Sequence, residues 1–232
     1  MLKRIAVCIV LVLSTFPLWA GDSASFADLG FSVDGSRYMF GQYGVSSDTL
    51  RPWADIFIVD VPRNAWVPGG RQSWSPNNAI TAGQDGSGAL NSLIARNAKR
   101  ASDHGIDHTR QGQLLYLSIE DGEARTRGES RIDFRNFDDG SLYEARLVPW
   151  VEGSGATVQS SFFIDLTRTA RDGSKIRYTV GTPSLKRRGI SAYRIRQVMS
   201  APGNGALVFV IEQWHEGPSR IRYMVETLSI KK

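Results

Sequence analysis

From Leu29 to Val61 the chain alternates short apolar runs with turn residues. Leu29-Gly30-Phe31-Ser32-Val33 leads into Asp34-Gly35, Arg37-Tyr38-Met39-Phe40 follows, and Ala54-Asp55-Ile56-Phe57-Ile58-Val59-Asp60-Val61 closes the unit. Glycine tolerates a left-handed backbone and aspartate bonds its own main chain, so Asp34-Gly35 predicts a turn between strands. The unbroken β-branched and aromatic run at 56–61 predicts a buried strand. Gly41 to Pro52, rich in glycine and serine, predicts a loop. Pro62, Pro68, Pro76 and Gly69-Gly70 then break the pattern up to Ser87. They predict an irregular connection pinned by Trp66 and Trp74, and so long a connection is one place to look for a site.

At Ser87 the period changes. Leu90, Leu93, Ile94, Ala98 and Ala101 share one face at helical spacing, with Ser87 as N-cap and Gly105 as stop. Arg96, Lys99 and Arg100 lie toward the other side or in the last turns, where positive charge suits the helix dipole. Beyond it the texture is strand-like again. Leu114–Glu120 is a short apolar run. Asp138-Asp139-Gly140-Ser141 and Arg171-Asp172-Gly173-Ser174 each separate two apolar runs as hairpin turns. Ser191–Met199, Ala206–Trp214 and Arg220–Leu228 make a final meander. The expected fold is mainly β, with antiparallel sheets as propeller-blade-like meanders or a sandwich, and one amphipathic helix.

The last meander faintly echoes the first. Ser32-Val33-Asp34-Gly35 aligns with Ser200-Ala201-Pro202-Gly203, and Ile58-Val59-Asp60-Val61 with Met224-Val225-Glu226-Thr227. A complete propeller would need further copies between them, and none is visible.

The first twenty residues change which chain has to be explained. Lys3 and Arg4 precede an apolar run from Ile5 to Leu13, and Ala20-Gly21 offers a cleavage point. This is the layout of a secretory signal peptide, and the run is too short to span a bilayer. The expected organisation is a signal peptide over 1–20 and a single β-rich domain over 21–232. Cleavage removes Cys8, the only cysteine, and takes two positive charges off a formal net charge of +5. The exported chain then has no disulfide and no thiolate chemistry, which suits a periplasmic or secreted protein with a core large enough to need no staple. Its mild positive excess is weak support for an anionic partner; export disfavours nucleic acid. No transmembrane segment is expected in the mature chain.

Two resemblances follow from these runs. Asp34-Gly35 between strands, with Val59-Asp60-Val61 closing the third, resembles one blade of a TolB-type β-propeller. More specifically, Asp28-Leu29-Gly30-Phe31-Ser32, Phe40-Gly41-Gln42-Tyr43-Gly44-Val45 and Lys186-Arg187-Arg188-Gly189-Ile190-Ser191-Ala192-Tyr193 resemble a bacterial family of predicted secreted proteins, catalogued as a domain of unknown function. The resemblance implies export and one architecture through nearly the whole mature chain. It carries over no catalytic residue.

Candidate chemistry is sparse. His104 and His108 stand four apart beside Asp103 and Asp107, but Gly105 falls between them and no glutamate adjoins the first histidine, so solvated loop histidines are expected rather than a metal site. Asp138-Asp139 sits where a turn wants aspartate for backbone reasons. Asp60, Asp133 and Asp165 lie on apolar strands and need partners, for which Arg37, Arg168 and Arg194 are candidates. Lys186, Arg187 and Arg188 in a loop, with Arg194 and Arg196 on alternate strand positions, suggest one basic face for an anionic ligand. The plain alternative is a solvated hairpin edge. Trp66 and Trp74 offer stacking surfaces for sugars or, alternatively, cap the core. The candidate binding residues are therefore Lys186, Arg187, Arg188, Arg194, Arg196, Trp66 and Trp74. The expected function is non-catalytic binding or scaffolding in the bacterial envelope, with an envelope protein, an anionic lipid or a glycan as partner and no cofactor. The rival is an envelope hydrolase, with or without a metal, using carboxylates or His104 and His108.

Overall fold

The computed structural model describes residues 22–81, 83–119, 128–203, 205–216 and 220–230, so the signal peptide expected over 1–20 lies outside the described residues. In chain order the elements are β1 (Ser25–Ser32), β2 (Arg37–Val45), β3 (Pro52–Asp60), β4 (Ala65–Trp74), α1 (Ser87–Arg96) and α2 (Ala98–Asp103). Next come β5 (Ile106–Asp107), β6 (Gln113–Leu117), β7 (Ser130–Arg135), β8 (Leu142–Glu152), β9 (Gln159–Thr169) and β10 (Lys175–Val180). β11 (Arg187–Arg188), β12 (Ile190–Ser200), β13 (Ala206–His215) and β14 (Arg220–Ser229) follow.

These strands form antiparallel sheets of order β4-β3-β2-β1-β5, then β10-β9-β8-β7 with β11 on β9, and finally β14-β13-β12-β6. We call them the first, second and C-terminal sheets. None is closed among the described residues. The protein is mainly β, as its alternating pattern predicts.

The C-terminal sheet lies in the middle of a stack. Along β13, Ala206, Val208 and Val210 meet Phe40, Phe57 and Val59 of the first sheet. The alternate residues Leu207, Phe209 and Ile211 meet Leu147, Phe162 and Ile164 of the second. Side chains of a strand point to opposite faces in turn, so a strand covered on both sides must be apolar without a break. The first sheet is also covered twice: Met39, Ile56 and Ile58 pack on Leu90 and Leu93 of α1. The layers therefore run helices, first sheet, C-terminal sheet, second sheet. Each fully buried side chain of this size stabilises the fold by roughly 1.5–3 kcal/mol.

Three expectations change. The loop expected over Gly41 to Pro52 is shorter, because Gly41–Val45 continues β2 and pairs with β3. The stretch after Pro62 is not an irregular connection: β4 pairs with β3 along most of its length. Its ladder jumps between Val59↔Trp66 and Phe57↔Arg71, so the residues around Pro68 bulge past Ile58. Proline lacks a ladder donor, but an edge strand with a bulge tolerates it, and Gly69 takes the left-handed φ of 65° required there. The helix also starts and breaks differently. Ser87 is its first residue, Gly86 is the cap, and Asp85 accepts the Ser87 amide at 2.9 Å. A Cβ on Gly86 would meet the Gly44 carbonyl oxygen at 2.3 Å, so only glycine lets the helix start against β2. Asn97 splits the helix, its side chain donating to the Leu93 carbonyl at 2.9 Å.

The echoing meanders pack together. Their turns nearly touch, since a Cβ on Gly35 would lie 3.3 Å from the Pro202 carbonyl oxygen.

A candidate binding cleft at the edge of β14

Beside β14 a cleft of about 300 Å³ opens between the β3–β4 turn and the loop preceding β11. Trp66, Leu185 and Met224 form apolar walls, while Asn64, Arg187 and Glu226 supply its polar groups. Trp66 is 56 % exposed and Leu185 51 % exposed, whereas the Glu226 side chain is only 6 % exposed. The pattern puts Glu226 inside: it follows the covered Val225 on a strand whose alternate residues enter the two flanking cores.

Glu226 is held from both sides. The Asn64 amide donates to one carboxylate oxygen, and Arg187 Nη2 lies 3.3 Å from the other. Burial pushes the Glu226 carboxyl above its ordinary value near 4.5, against the pull of the Asn64 hydrogen bond and the Arg187 charge. Arg187 also lies over the Phe162 ring at 5.0 Å. Asn64 takes a left-handed φ of 49°, a conformation asparagine tolerates better than most residues. Its Oδ1 accepts the backbone amide of Thr227 at 2.7 Å. One residue before the cleft-lining Met224, the amide of Tyr223 donates in the same way to Gln42 at 2.8 Å. Side chains of the first sheet thus cap the outer edge of β14.

Four of the five expected basic residues are divided among Glu152, Glu226 and Glu212. Only Arg187 reaches the cleft. Lys186 turns to the outer face of the second sheet, 3.0 Å from Glu152 and 4.3 Å above the Trp150 ring. Arg188 is exposed on β11. Arg194 and Arg196 converge on Glu212, with Nη2 and Nε at 2.7 and 3.7 Å from its oxygens. Glu212 also accepts the Tyr223 hydroxyl at 3.3 Å; burial, then the Glu212 charge, pushes that hydroxyl up to about 12. The five cations are therefore dispersed rather than gathered on one face. Of the tryptophans, Trp66 walls the cleft and Trp74 does not. Trp74 lines a wider depression of about 770 Å³ near the start of α1, with the Arg96 guanidinium 4.1 Å over its ring. The carboxylate there, Asp85, is engaged by the amide and hydroxyl of Ser87.

Several of the other candidates have structural partners. His108 Nδ1 lies 2.7 Å from the Leu29 carbonyl oxygen. No group of three or more His, Cys, Asp or Glu able to hold a metal is present among the described residues. Asp60 pairs with Arg37 as expected, at 3.3 Å, and with Arg63 at 3.0 Å. Asp165 instead pairs with Arg146 and Arg177, Arg168 with Asp139, and Asp133 with Arg131. Asp139 also accepts the Ser141 amide at 2.8 Å, the turn role its position predicts.

Glu226 and Asn64 are the site residues that motif reasoning passes over. One signal points to them: the echo of 58–61 in 224–227 aligns Glu226 with Asp60, and both are buried carboxylates paired with arginine.

No curated protein and no solved structure matches the chain. No helix among the described residues is long and apolar enough to cross a membrane. A family profile does match, over residues 39–229, which takes in the cleft and every strand except β1 and the first two residues of β2. The chain belongs to the family described as predicted secreted proteins, DUF2259, and is an exported protein.

Proposed function

We propose that this exported protein is a non-catalytic binding protein of the bacterial envelope, and that the cleft at β14 is its ligand seat. The observation that carries this reading is the wall of Trp66, 56 % exposed, above the Arg187–Glu226 pair, whose side chains are 14 % and 6 % exposed. Burying an ion pair costs more free energy than burying apolar groups of the same volume, so stability alone is a poor reason for it. A large aromatic beside a few fixed polar groups is the usual composition of a recognition site. The cleft offers one carboxylate neutralised by an adjacent cation, which suits binding better than the paired carboxylates a hydrolase requires.

The test uses protein purified from the periplasm, with thermal shift read against anionic phospholipid vesicles, soluble peptidoglycan fragments and pooled blocked peptides. One class is expected to raise Tm by several degrees in the wild type and by much less in Trp66→Ala. No shift with any class, or equal shifts in both proteins, overturns the reading.

A further inference from the structure

The side chains at the floor of the cleft are occupied by one another. Glu226 holds Asn64 and Arg187, while Asn64 holds Thr227. The backbone of β14 offers something else. In its ladder with β13, Tyr223, Val225 and Thr227 stand opposite Glu212, Val210 and Val208. In an antiparallel pair the N–H and C=O of every second residue point to the outer edge. The amides of Tyr223 and Thr227 fix that phase, because they donate outward to Gln42 and Asn64. Val225 lies midway between them, so its peptide groups point the same way, and it lines the cleft. Among the described residues no outward partner meets them.

An uncapped peptide group on a sheet edge is a template for another strand. Here the template is short. Side-chain amides cap it on both sides, and Ser23 bridges to Ile221 farther along the same strand. Apolar walls and one open backbone position match an extended peptide, which brings an N–H, a C=O and alternating side chains. An anionic head group would instead find Arg187 already neutralised by Glu226. A sugar ring could stack on Trp66 but would leave the polar side chains with nothing new to bond.

We infer that the cleft takes an extended peptide segment of an envelope protein, added as a short strand at Val225 with an apolar side chain against Trp66 and Leu185. This rests on the binding reading above. Three measurements test it. In the free protein, amide exchange by NMR should be markedly faster at Val225 than at Tyr223 and Thr227; equal protection at all three overturns the inference without any ligand. A positional-scanning pool of blocked pentapeptides should then contain binders that protect the Val225 amide. Methylating the central backbone nitrogen of the best binder should weaken it by about tenfold, the upper size expected from one lost hydrogen bond. An unchanged affinity after methylation overturns strand addition. Trp66-dependent binding of peptidoglycan fragments or vesicles, with no peptide bound, overturns the peptide and leaves the binding reading intact. Failure of all three classes removes both.

Discussion

Asn64 and Thr227 are 163 positions apart, yet the side-chain oxygen of one accepts the backbone amide of the other at 2.7 Å. A turn residue of the first sheet thereby closes part of the edge of the C-terminal sheet. Asn64 does this in a left-handed conformation, which makes its two roles separable by mutation. Asn64→Gly keeps the backbone and loses the cap, so it should cost about 1–2 kcal/mol. Asn64→Ala loses the cap and adds backbone strain, for a total of about 2–4 kcal/mol. Urea unfolding of the two variants checks the order.

Asp22 fastens the start of the described chain to its end. It accepts the Trp53 indole N–H at 2.9 Å and Arg222 Nη2 at 2.8 Å, while the Arg222 guanidinium lies 4.0 Å over the Trp53 ring. Arg222→Ala removes the shared partner. It should release residues 22–24 from β14 and create a new cleavage site there in limited proteolysis, read by mass spectrometry.

Glu212 is 2 % exposed and faces two arginines. Removing one member of a buried ion pair leaves an uncompensated charge, so Glu212→Ala should destabilise by about 3–5 kcal/mol. Arg196→Ala should cost clearly less, because its contact is longer, at 3.7 Å, and its side chain is 26 % exposed. Chemical denaturation separates the two.

The Glu226 carboxyl gives a pH signature of definite sign. Its value in the fold is raised by burial above its ordinary 4.5, so the folded state holds this proton more tightly than the unfolded chain. Its contribution to stability is complete below 4.5 and is lost as pH rises through the raised value. Glu226→Gln should flatten that decline whatever its constant offset in stability. Urea midpoints for both proteins, measured at intervals from pH 4 to about 7, decide it; parallel curves would contradict the assignment.

The fold was more legible in the sequence than the site. Asp-Gly turns and alternating runs place β7 to β10 and β12 to β14, because those hairpins are built from local contacts. β4 was hidden because Pro68 and Gly69 read as loop residues, and only the partner strand Ile56–Val59 shows that they form an edge bulge. The cations misled for a related reason. Arg194 and Arg196 alternate as an exposed face would, but Glu212 lies on the adjacent strand and draws them in. Charge spacing along one strand carries no information about the neighbouring strand. Glu226 was legible only as the partner of Asp60 in a faint repeat.

The central position of the C-terminal sheet also has a kinetic consequence. Residues 22–188 supply the first and second sheets, and each has one apolar face whose cover comes mainly from residues 190–229. A chain crossing a membrane from its N-terminus delivers that cover last. Until it arrives, both sheets are open to aggregation, and a premature stop before β13 leaves much of the two faces bare together. The late strands are the keystone of this protein, so its vulnerable interval is the time between delivery of β10 and β14.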